Sequence, residues 1–238
     1  MSKNNYFRFK QFTVCQEKSA MKVGTDGILL GAWTGIEDCK QILDVGTGTG
    51  LIALMLAQRS DAQITAIEIE QNAASEAKQN IGSSPWKNRI NVQNISFQEY
   101  AASNQSRFDL IVSNPPFFSN SLKAKNKQRR LARHSDSLPL PELIYCSEKL
   151  LKKDGRLAVI LPVKPSTELI KLAGSNQLYL HQLTKVYPNT EKPHNRFLME
   201  FSKEKCTTRT SDLYIENLSP KEYSEQYKNL LKDFYLLF

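Results

Sequence analysis

The sequence predicts an α/β fold in which helices cover both faces of a mostly parallel sheet. Three observations support this prediction: short apolar runs alternate with helical segments, a glycine-rich turn joins the first of these runs to a helix, and an acidic residue ends the next run. Parallel strands need long crossover connections, which the helices provide with right-handed geometry. At 238 residues the chain can bury one substantial core, so we expect a single domain.

The sheet is predicted to have seven strands. They are expected at residues 42–45, 63–68, 89–94, 108–113, 156–161, 178–183 and 196–201. The helices between them are expected at residues 51–59, 71–81, 97–102, 142–153 and 166–173, with Gly155 as the stop of the fourth. Because the last two strands form a closing antiparallel pair, the predicted architecture is a Rossmann-like doubly wound sheet, mostly parallel with an antiparallel closing strand.

A short strand is predicted to precede this core. Residues 6–14 alternate aromatic and basic side chains, as a strand with one buried face does. A turn-rich segment at residues 21–27 then leads into a helix from Ile28 to Trp33, and Thr25 or Asp26 is its predicted cap. This turn-rich segment is therefore a second loop directly before the glycine-rich turn.

A C-terminal helix is predicted to pack back on the domain. Ser219-Pro220-Lys221-Glu222 has the form of a capping box with proline at the first helical position. One apolar stripe follows it, made of Tyr223, Tyr227, Leu230 and Phe234. The predicted organisation is an N-terminal extension at residues 1–35, a core at residues 36–203 and a C-terminal helical extension at residues 204–238.

Charge and composition narrow the possible partners. The net charge of +8 and the isoelectric point near 9.2 favour a polyanionic partner. No apolar run approaches the ~20 residues that a membrane span needs, and the N-terminus lacks the apolar stretch of a secretory signal, so we expect a soluble cytoplasmic protein. The four cysteines lie far apart and the histidines are not clustered, which argues against a zinc site and a disulfide framework.

The glycine-rich turn at residues 44–50 predicts a ligand site. Glycines at alternate positions, Gly46, Gly48 and Gly50, allow a sharp turn and a close approach of backbone to ligand, directly before a helix N-terminus. Glu68 lies 18 positions after Gly50, where doubly wound folds often place a carboxylate that binds ribose hydroxyls. An ordinary βα turn with a solvated glutamate is the alternative interpretation.

The sequence Asn114-Pro115-Pro116-Phe117 is the catalytic candidate, because it follows the fourth strand at the edge where ligands bind. The Asn114 carboxamide oxygen and the backbone carbonyls of Asn114 and Pro115 can accept hydrogen bonds from an exocyclic amine. Phe117 offers a flat face to a base taken out of its stack. A rigid turn with Phe117 in the core is the alternative.

Together these motifs resemble the class I S-adenosylmethionine-dependent methyltransferases that act on amino nitrogens. The third glycine comes one residue earlier than in a dinucleotide fingerprint, which disfavours a nicotinamide dehydrogenase. Residues 9–12 and 21–33 further resemble the bacterial tRNA(Val) adenine-N6 methyltransferase family, and this resemblance covers nearly the whole chain. It implies methylation of N6 of adenosine 37 in a valine tRNA, with S-adenosylmethionine as cofactor and no metal.

The resemblance also implies roles for individual residues. Asp44 and the three loop glycines would hold the methionine end of the cofactor, and Glu68 the ribose. Lys22 and Thr25 or Asp26 would border the same pocket, and Asn94 stands where the family often has an aspartate that contacts the adenine. Asn114, Pro115 and Phe117 would hold the substrate base.

A basic segment beginning six residues after Phe117 is the predicted contact for tRNA phosphates. Its six cations are Lys123, Lys125, Lys127, Arg129, Arg130 and Arg133. A solvated charged loop is the alternative. Other open alternatives are a guanine-N2 rRNA methyltransferase, a protein glutamine methyltransferase and a catalytically silent RNA-binding module. We expect a monomer.

Overall fold

The structure is a computed structural model that describes residues 5–116, 138–219 and 222–238. A hairpin of β1 (Tyr6–Arg8) and β2 (Thr13–Cys15) comes first. The strands of the main sheet are β3 (Gln41–Val45), β4 (Gln63–Glu68), β5 (Ile90–Asn94), β6 (Phe108–Ser113), β7 (Leu151–Pro162), β8 (Tyr179–Tyr187), β9 (Arg196–Ser202) and β10 (Arg209–Tyr214). The described helices are α1 (Thr25–Trp33), α2 (Leu51–Arg59), α3 (Gln71–Gly82), α4 (Phe97–Ser103), α5 (Leu140–Leu150), α6 (Val163–Ser175) and α7 (Glu225–Leu231).

The sheet has the order β10-β8-β9-β7-β6-β3-β4-β5. Strands β5, β4, β3, β6 and β7 are parallel, β9 runs antiparallel between β7 and β8, and β10 is parallel to β8. The predicted fold class is therefore confirmed, including the antiparallel closing strand. The predicted number of strands was too low by one, because Arg209–Tyr214 adds an eighth strand at the β8 edge.

Four local predictions were wrong. The N-terminal segment is a hairpin rather than one strand, because Phe9 N–H donates to Phe12 O at 2.8 Å and closes a turn. Helix α1 begins at Thr25 with Gly24 as its N-cap, so Thr25 and Asp26 lie inside its first turn. Helix α7 is capped by Ser224, whose hydroxyl accepts from Tyr227 N–H, rather than by Ser219.

The fourth error concerns Gly155, which was predicted to stop a helix. Helix α5 ends at Leu150, and β7 begins at the next residue. Gly155 lies within β7 beside a register shift opposite Phe108, and a Cβ atom there would lie 2.7 Å from Phe108 O. Glycine is needed at this position because the backbone of β6 approaches so closely.

Apolar residues cover both faces of the sheet. One face packs against α1, α2, α3, α7 and the N-terminal hairpin, and the other packs against α4, α5 and α6. In the described ranges, no helix is long and apolar enough to cross a membrane. The same residues contain no group of His, Cys, Asp and Glu side chains arranged to hold a metal ion.

Two glycines of α1 bring its N-terminal end close to the glycine-rich turn. A Cβ atom on Gly31 would lie 2.8 Å from Met55 Sδ, and one on Gly27 would lie 3.2 Å from Leu51 Cδ2. These short distances mean that the Leu51 and Met55 side chains of α2 pack directly against the backbone of α1. The turn-rich segment before α1 is consequently placed beside the start of α2.

Candidate functional site

Three motifs meet at the carboxyl edge of the central strands. The glycine-rich turn follows β3, Glu68 ends β4, and Asn114 follows β6. Strand β3 pairs in parallel with both β4 and β6, so these three strand ends are neighbours. This is the edge at which doubly wound sheets bind ligands.

The glycines of the turn adopt conformations that other residues rarely take. Gly46 has φ of +72° and Gly48 has φ of +56°. A Cβ atom added at either position would have no described neighbour within 4 Å, so both glycines border open space. The backbone of the turn is therefore open to a ligand at these two positions.

Hydrogen bonds hold this turn against β4. The N–H groups of Gly46 and Thr47 donate to Ile67 O at 2.9 and 3.0 Å, and Gly48 N–H donates to Glu68 Oε2 at 2.9 Å. The first turn of α2 begins directly after Gly50, and the N–H groups at a helix start have no acceptor within the helix. This helix N-terminus faces the same space as the turn.

Asp44 lies beneath the turn and is completely buried. Its Oδ2 atom accepts hydrogen bonds from Thr47 Oγ1 at 2.6 Å and Ala53 N–H at 3.2 Å, and no described residue donates to Oδ1. Burial raises the pKa of Asp44 to about 7, against the opposing effect of these two hydrogen bonds. The predicted direct contact with a ligand does not match a side chain without exposed surface, so Asp44 acts by fixing the turn.

Replacing Asp44 with asparagine should flatten the pH dependence of folding stability between about pH 4 and pH 7. Folded Asp44 keeps a proton up to about pH 7, whereas the unfolded side chain releases it near 3.8. The folded state therefore binds more protons in this range, and the free energy of unfolding of the native chain falls as pH rises. Denaturant unfolding of both proteins across this range measures the difference.

Asp109→Asn is the matched control. Burial raises the pKa of Asp109, but hydrogen bonds from Lys152 and from the N–H groups of Gln41 and Lys40 outweigh this effect and lower it overall. The contribution of Asp109 to the free energy of unfolding therefore changes below about pH 4, outside the range in which Asp44 acts. If the free energy of unfolding changes equally with pH in the native chain and in Asp44→Asn, the raised pKa of Asp44 is wrong.

The structure places Glu68 and Asn94 side by side at the ends of β4 and β5. Glu68 is half-buried and accepts from Gly48 N–H and, through Oε1, from Glu70 N–H at 3.0 Å. Asn94 Nδ2 donates to the carbonyl oxygens of Glu68 and Ile69 at 2.8 and 2.9 Å. Asn94 therefore stabilises the turn after β4 through its amide nitrogen. Its predicted contact with the adenine, for which the amide oxygen is the acceptor, stays a prediction.

Two cavities of similar size share Gly46. The first has a volume of about 350 Å³ and is lined by residues 21–27, residues 46–49, Leu51, Ile52 and Asn114. The second has a volume of about 340 Å³ and is lined by Val45, Gly46, Ile67, Ile69, Ile95, Ser96, Phe97, Gln98, Leu138 and Glu142. Together they form an elongated site that follows the carboxyl edge from β6 to β5.

The first cavity contains several of the predicted site residues. Lys22 and Thr25 line its wall opposite the glycine-rich turn, and Lys22 Nζ donates to Gln16 O. Asn114 is half-buried, with its Nδ2 atom 3.9 Å from where a Cβ on Gly27 would be. Pro115 is buried beside it. Phe117 and the six cations of the basic segment lie outside the described residues, so their predicted roles stay predictions.

The second cavity was not predicted. Its wall includes Ile69, which is 50% exposed despite its size, and Ile95. Both follow strand ends, and an apolar residue directly after the acidic end of β4 was the available sequence signal. This cavity presents an apolar surface with the polar residues Ser96 and Gln98 beside it, which suits a ligand that has an apolar ring with polar atoms at its edge.

Helix α3 fixes the wall of the first cavity through two buried polar side chains. Glu76 accepts hydrogen bonds from the N–H groups of Glu17, Lys18 and Ser19 at 2.5, 2.8 and 2.8 Å. One helical turn later, Asn80 exchanges two hydrogen bonds with the backbone of Cys15 and donates to Thr49 O at 2.9 Å. Neither residue was predicted, because a glutamate and an asparagine in a polar helix are usually solvated.

Comparison with known proteins gives a consistent assignment. Residues 24–171 match the family model described as the methyltransferase small domain. A protein of Parabacteroides distasonis and one of Trichodesmium erythraeum, both named tRNA1(Val) (adenine(37)-N6)-methyltransferase, are 47% and 46% identical. Each alignment covers 98% of this chain and 98% of the relative.

A solved structure shares the fold. It is described as a predicted O-methyltransferase from Agrobacterium tumefaciens, and it has a TM-score of 0.69 at 19% identity. The superposition covers 88% of this chain and 96% of the other. At this identity the likeness concerns the fold alone.

Proposed function

Because the chain belongs to the methyltransferase small domain family, we propose that it transfers a methyl group from S-adenosylmethionine to N6 of adenosine 37 in a valine tRNA. The observation that supports this most directly is the meeting of Asn114 with the glycine-rich turn in one cavity. The full-length relatives named for this reaction agree with it. The net charge of +8 fits a polyanionic substrate.

The donor set of the two cavities fits S-adenosylmethionine. In the first cavity, Lys22, Thr25 and the open backbone at Gly46 and Gly48 would hold the amino-acid end. Glu68 would hold the ribose, because each carboxylate oxygen can accept a further hydrogen bond beyond the one it already has. The second cavity would hold the adenine ring against its apolar wall.

The bound cofactor supplies an electrophilic methyl group on a sulfonium sulfur. The protein's own contribution is to position the accepting amine and to exclude water. The Asn114 carboxamide oxygen can accept one N–H of the exocyclic amine, and the Pro115 carbonyl can accept the other. Such a pair orients the nitrogen lone pair toward the cavity without acting as a base. Pro115 and Phe117 complete the proposed substrate site.

A methylation assay tests this proposal. Purified protein is incubated with total tRNA lacking the modification and with methyl-labelled S-adenosylmethionine, and the modified nucleoside and its position are then identified. N6-methyladenosine at position 37 of valine tRNA is the expected product. A labelled guanosine, or a labelled glutamine in added protein, would overturn the assignment of the acceptor, and binding of tRNA without any transfer would show a silent RNA-binding module.

Reversing three charges of the basic segment should weaken tRNA binding and reduce its dependence on salt. Changing Lys125, Lys127 and Arg129 to Glu removes up to three phosphate contacts, so the slope of log affinity against log salt should fall by about 2 to 3. Binding titrations at several salt concentrations measure this slope.

The control changes the net charge equally at the opposite edge of the sheet. Lys40 precedes β3, Lys153 lies near the start of β7, and Lys232 follows α7; all three are exposed. Their combined change to Glu should alter the slope much less. An equal effect of both triple variants would show that only the overall charge matters.

A further inference from the structure

Four aromatic side chains form a continuous row at the end of the sheet, which we call the aromatic strip. Tyr214 stacks on Tyr187 with ring centroids 4.6 Å apart and planes at 21°. His194 contacts Tyr187 edge-on at 5.4 Å and stacks on Phe197 at 5.1 Å and 19°. All four are half-buried, so each ring keeps part of its surface exposed.

The aromatic strip lies at the same edge of the sheet as the candidate site. Strands β8 and β10 run in the direction of β7, so their last residues, Tyr187 and Tyr214, are at the carboxyl edge. Phe197 is the second residue of β9, which starts at this edge opposite Pro162. His194 is in the loop between β8 and β9.

The strip is within reach of the site that would bind the reacting base. Strand order places β9 two strands, and β10 four strands, from β6, which Asn114 follows. At a strand spacing of about 4.8 Å, the strip covers roughly 10 to 19 Å from that strand end. At the stacked spacing of ~3.4 Å per nucleotide, this distance corresponds to at most about three to six nucleotides.

An ion pair at the same edge joins β9 to the wall of the first cavity, on the other face of the sheet from the strip. Arg196, the neighbour of Phe197, donates from Nε to Asp26 Oδ2 at 2.8 Å, and Asp26 lines that cavity. Lys185 is on β8 two residues before Tyr187 and pairs in register with Asp212 of β10, which interacts with the Tyr187 side chain. Lys192 is in the loop with His194. The rings therefore lie at the same edge of the sheet as the candidate site, with both a cation and a carboxylate beside them.

We propose that the aromatic strip stacks on unpaired bases of the RNA loop that flank the target adenosine. This proposal rests on the proposed function. Exposed aromatic faces bind unpaired bases without regard to sequence, because every base has a π face. A nucleotide that leaves its stack to enter the site loses contacts with its neighbours, and stacking of these neighbours on the strip would hold the opened loop. Tyr187 and Tyr214 form its outer end, and Phe197 its end nearest the site.

Substitution of the two tyrosines tests the proposal. Tyr187→Leu with Tyr214→Leu should weaken binding of unmethylated valine tRNA by about 5- to 100-fold and raise its KM, with kcat at saturating tRNA unchanged. The salt dependence of binding should keep its native slope, because stacking releases no counterions. Affinity for S-adenosylmethionine and the thermal unfolding midpoint are measured on the same samples.

Two further variants distinguish the loss of base stacking from a general effect of the substitutions on the folded structure. Tyr187→Phe with Tyr214→Phe keeps the rings and should bind tRNA as the native chain does. Tyr179→Leu changes a half-buried tyrosine of the same strand at the opposite edge, where its ring contacts Lys205 Nζ at 5.1 Å, and should have no effect. Native tRNA affinity in the leucine pair, or an equal loss in the phenylalanine pair or in Tyr179→Leu, would overturn the proposal.

Methylation and RNA binding by the native chain distinguish a failure of this proposal from a failure of the proposed function. If the native chain methylates tRNA and the leucine pair binds it normally, the strip has no role and the function stands. If the native chain methylates no tRNA but binds a short single-stranded RNA in a manner that depends on the two tyrosines, the strip stands and the function is wrong. Absence of RNA binding by the native chain would overturn both, as would tyrosine-dependent binding of a protein instead of RNA.

Discussion

Replacing Asn114 with alanine should lower the rate of methyl transfer by about 100- to 1,000-fold and leave the affinity for S-adenosylmethionine almost unchanged. Asn114 directly follows β6 and lines the first cavity together with the glycine-rich turn. Alanine removes a hydrogen-bond acceptor that the accepting amine would use. It leaves the glycine-rich turn, Glu68 and the second cavity intact, because none of their hydrogen bonds involves the Asn114 side chain.

Single-turnover methylation of tRNA measures the rate, and calorimetry with S-adenosylmethionine measures the affinity. Asn91→Ala is the matched control, because Asn91 is an exposed asparagine on the edge strand β5 and lines neither cavity. It should transfer methyl groups at the native rate. If Asn114→Ala instead loses cofactor affinity as strongly as it loses rate, Asn114 belongs to the cofactor pocket and its proposed role toward the amine is wrong.

The central strands were predicted well because a strand that is buried on both faces appears in the sequence as a continuous apolar run. The predicted strands at residues 63–68 and 108–113 coincide with β4 and β6, where apolar runs end at polar residues. Strand β10 has no such signature: Arg209 to Asp212 are exposed, and the strand pairs on one side only, with β8. Its pairing depends on a neighbour distant in sequence, so local pattern did not reveal it.

The same distinction applies to the candidate site. The glycine-rich turn, Glu68 and Asn114 are each adjacent in sequence to a strand end, and the parallel topology then brings them together. The roles of Asn94 and Glu76 depend on contacts that strand and helix patterns do not contain. Asn94 is used by the turn after β4, and Glu76 is buried only because residues 17–19 lie across α3.

Glu76 therefore provides the other large expected effect. Helix α3 connects the wall of the first cavity to the glycine-rich turn. Glu76 accepts hydrogen bonds from the N–H groups of residues 17–19, and Asn80 donates to Cys15 O and to Thr49 O in the turn. The wall residues Lys22 and Thr25 follow this fixed segment within a few positions. Loss of the Glu76 contacts would free the wall on one side while the turn stays in place.

Glu76→Gln should lower the free energy of unfolding by about 2 to 4 kcal/mol, because a neutral amide cannot accept three backbone N–H groups as a carboxylate does. The affinity for S-adenosylmethionine should also fall by about 10-fold or more, because the wall of the first cavity would no longer be held in place. Denaturant unfolding and calorimetry measure the two quantities. Leu178→Ala is the control, since it truncates a fully buried side chain on the other face of the sheet, with an expected loss of about 2 to 5 kcal/mol.

Dependence on pH separates the carboxylate from simple packing. Burial raises the pKa of Glu76, but the hydrogen bonds from residues 17–19 outweigh it and hold the pKa below its usual 4.5. The folded state thus binds fewer protons than the unfolded state, so the contribution of Glu76 is present above about pH 4.5 and decreases as pH falls. The stability difference between the native chain and Glu76→Gln should shrink accordingly, while the deficit of Leu178→Ala stays constant. Equal cofactor affinity in Glu76→Gln and the native chain would show that α3 stabilises the fold without positioning the cavity wall.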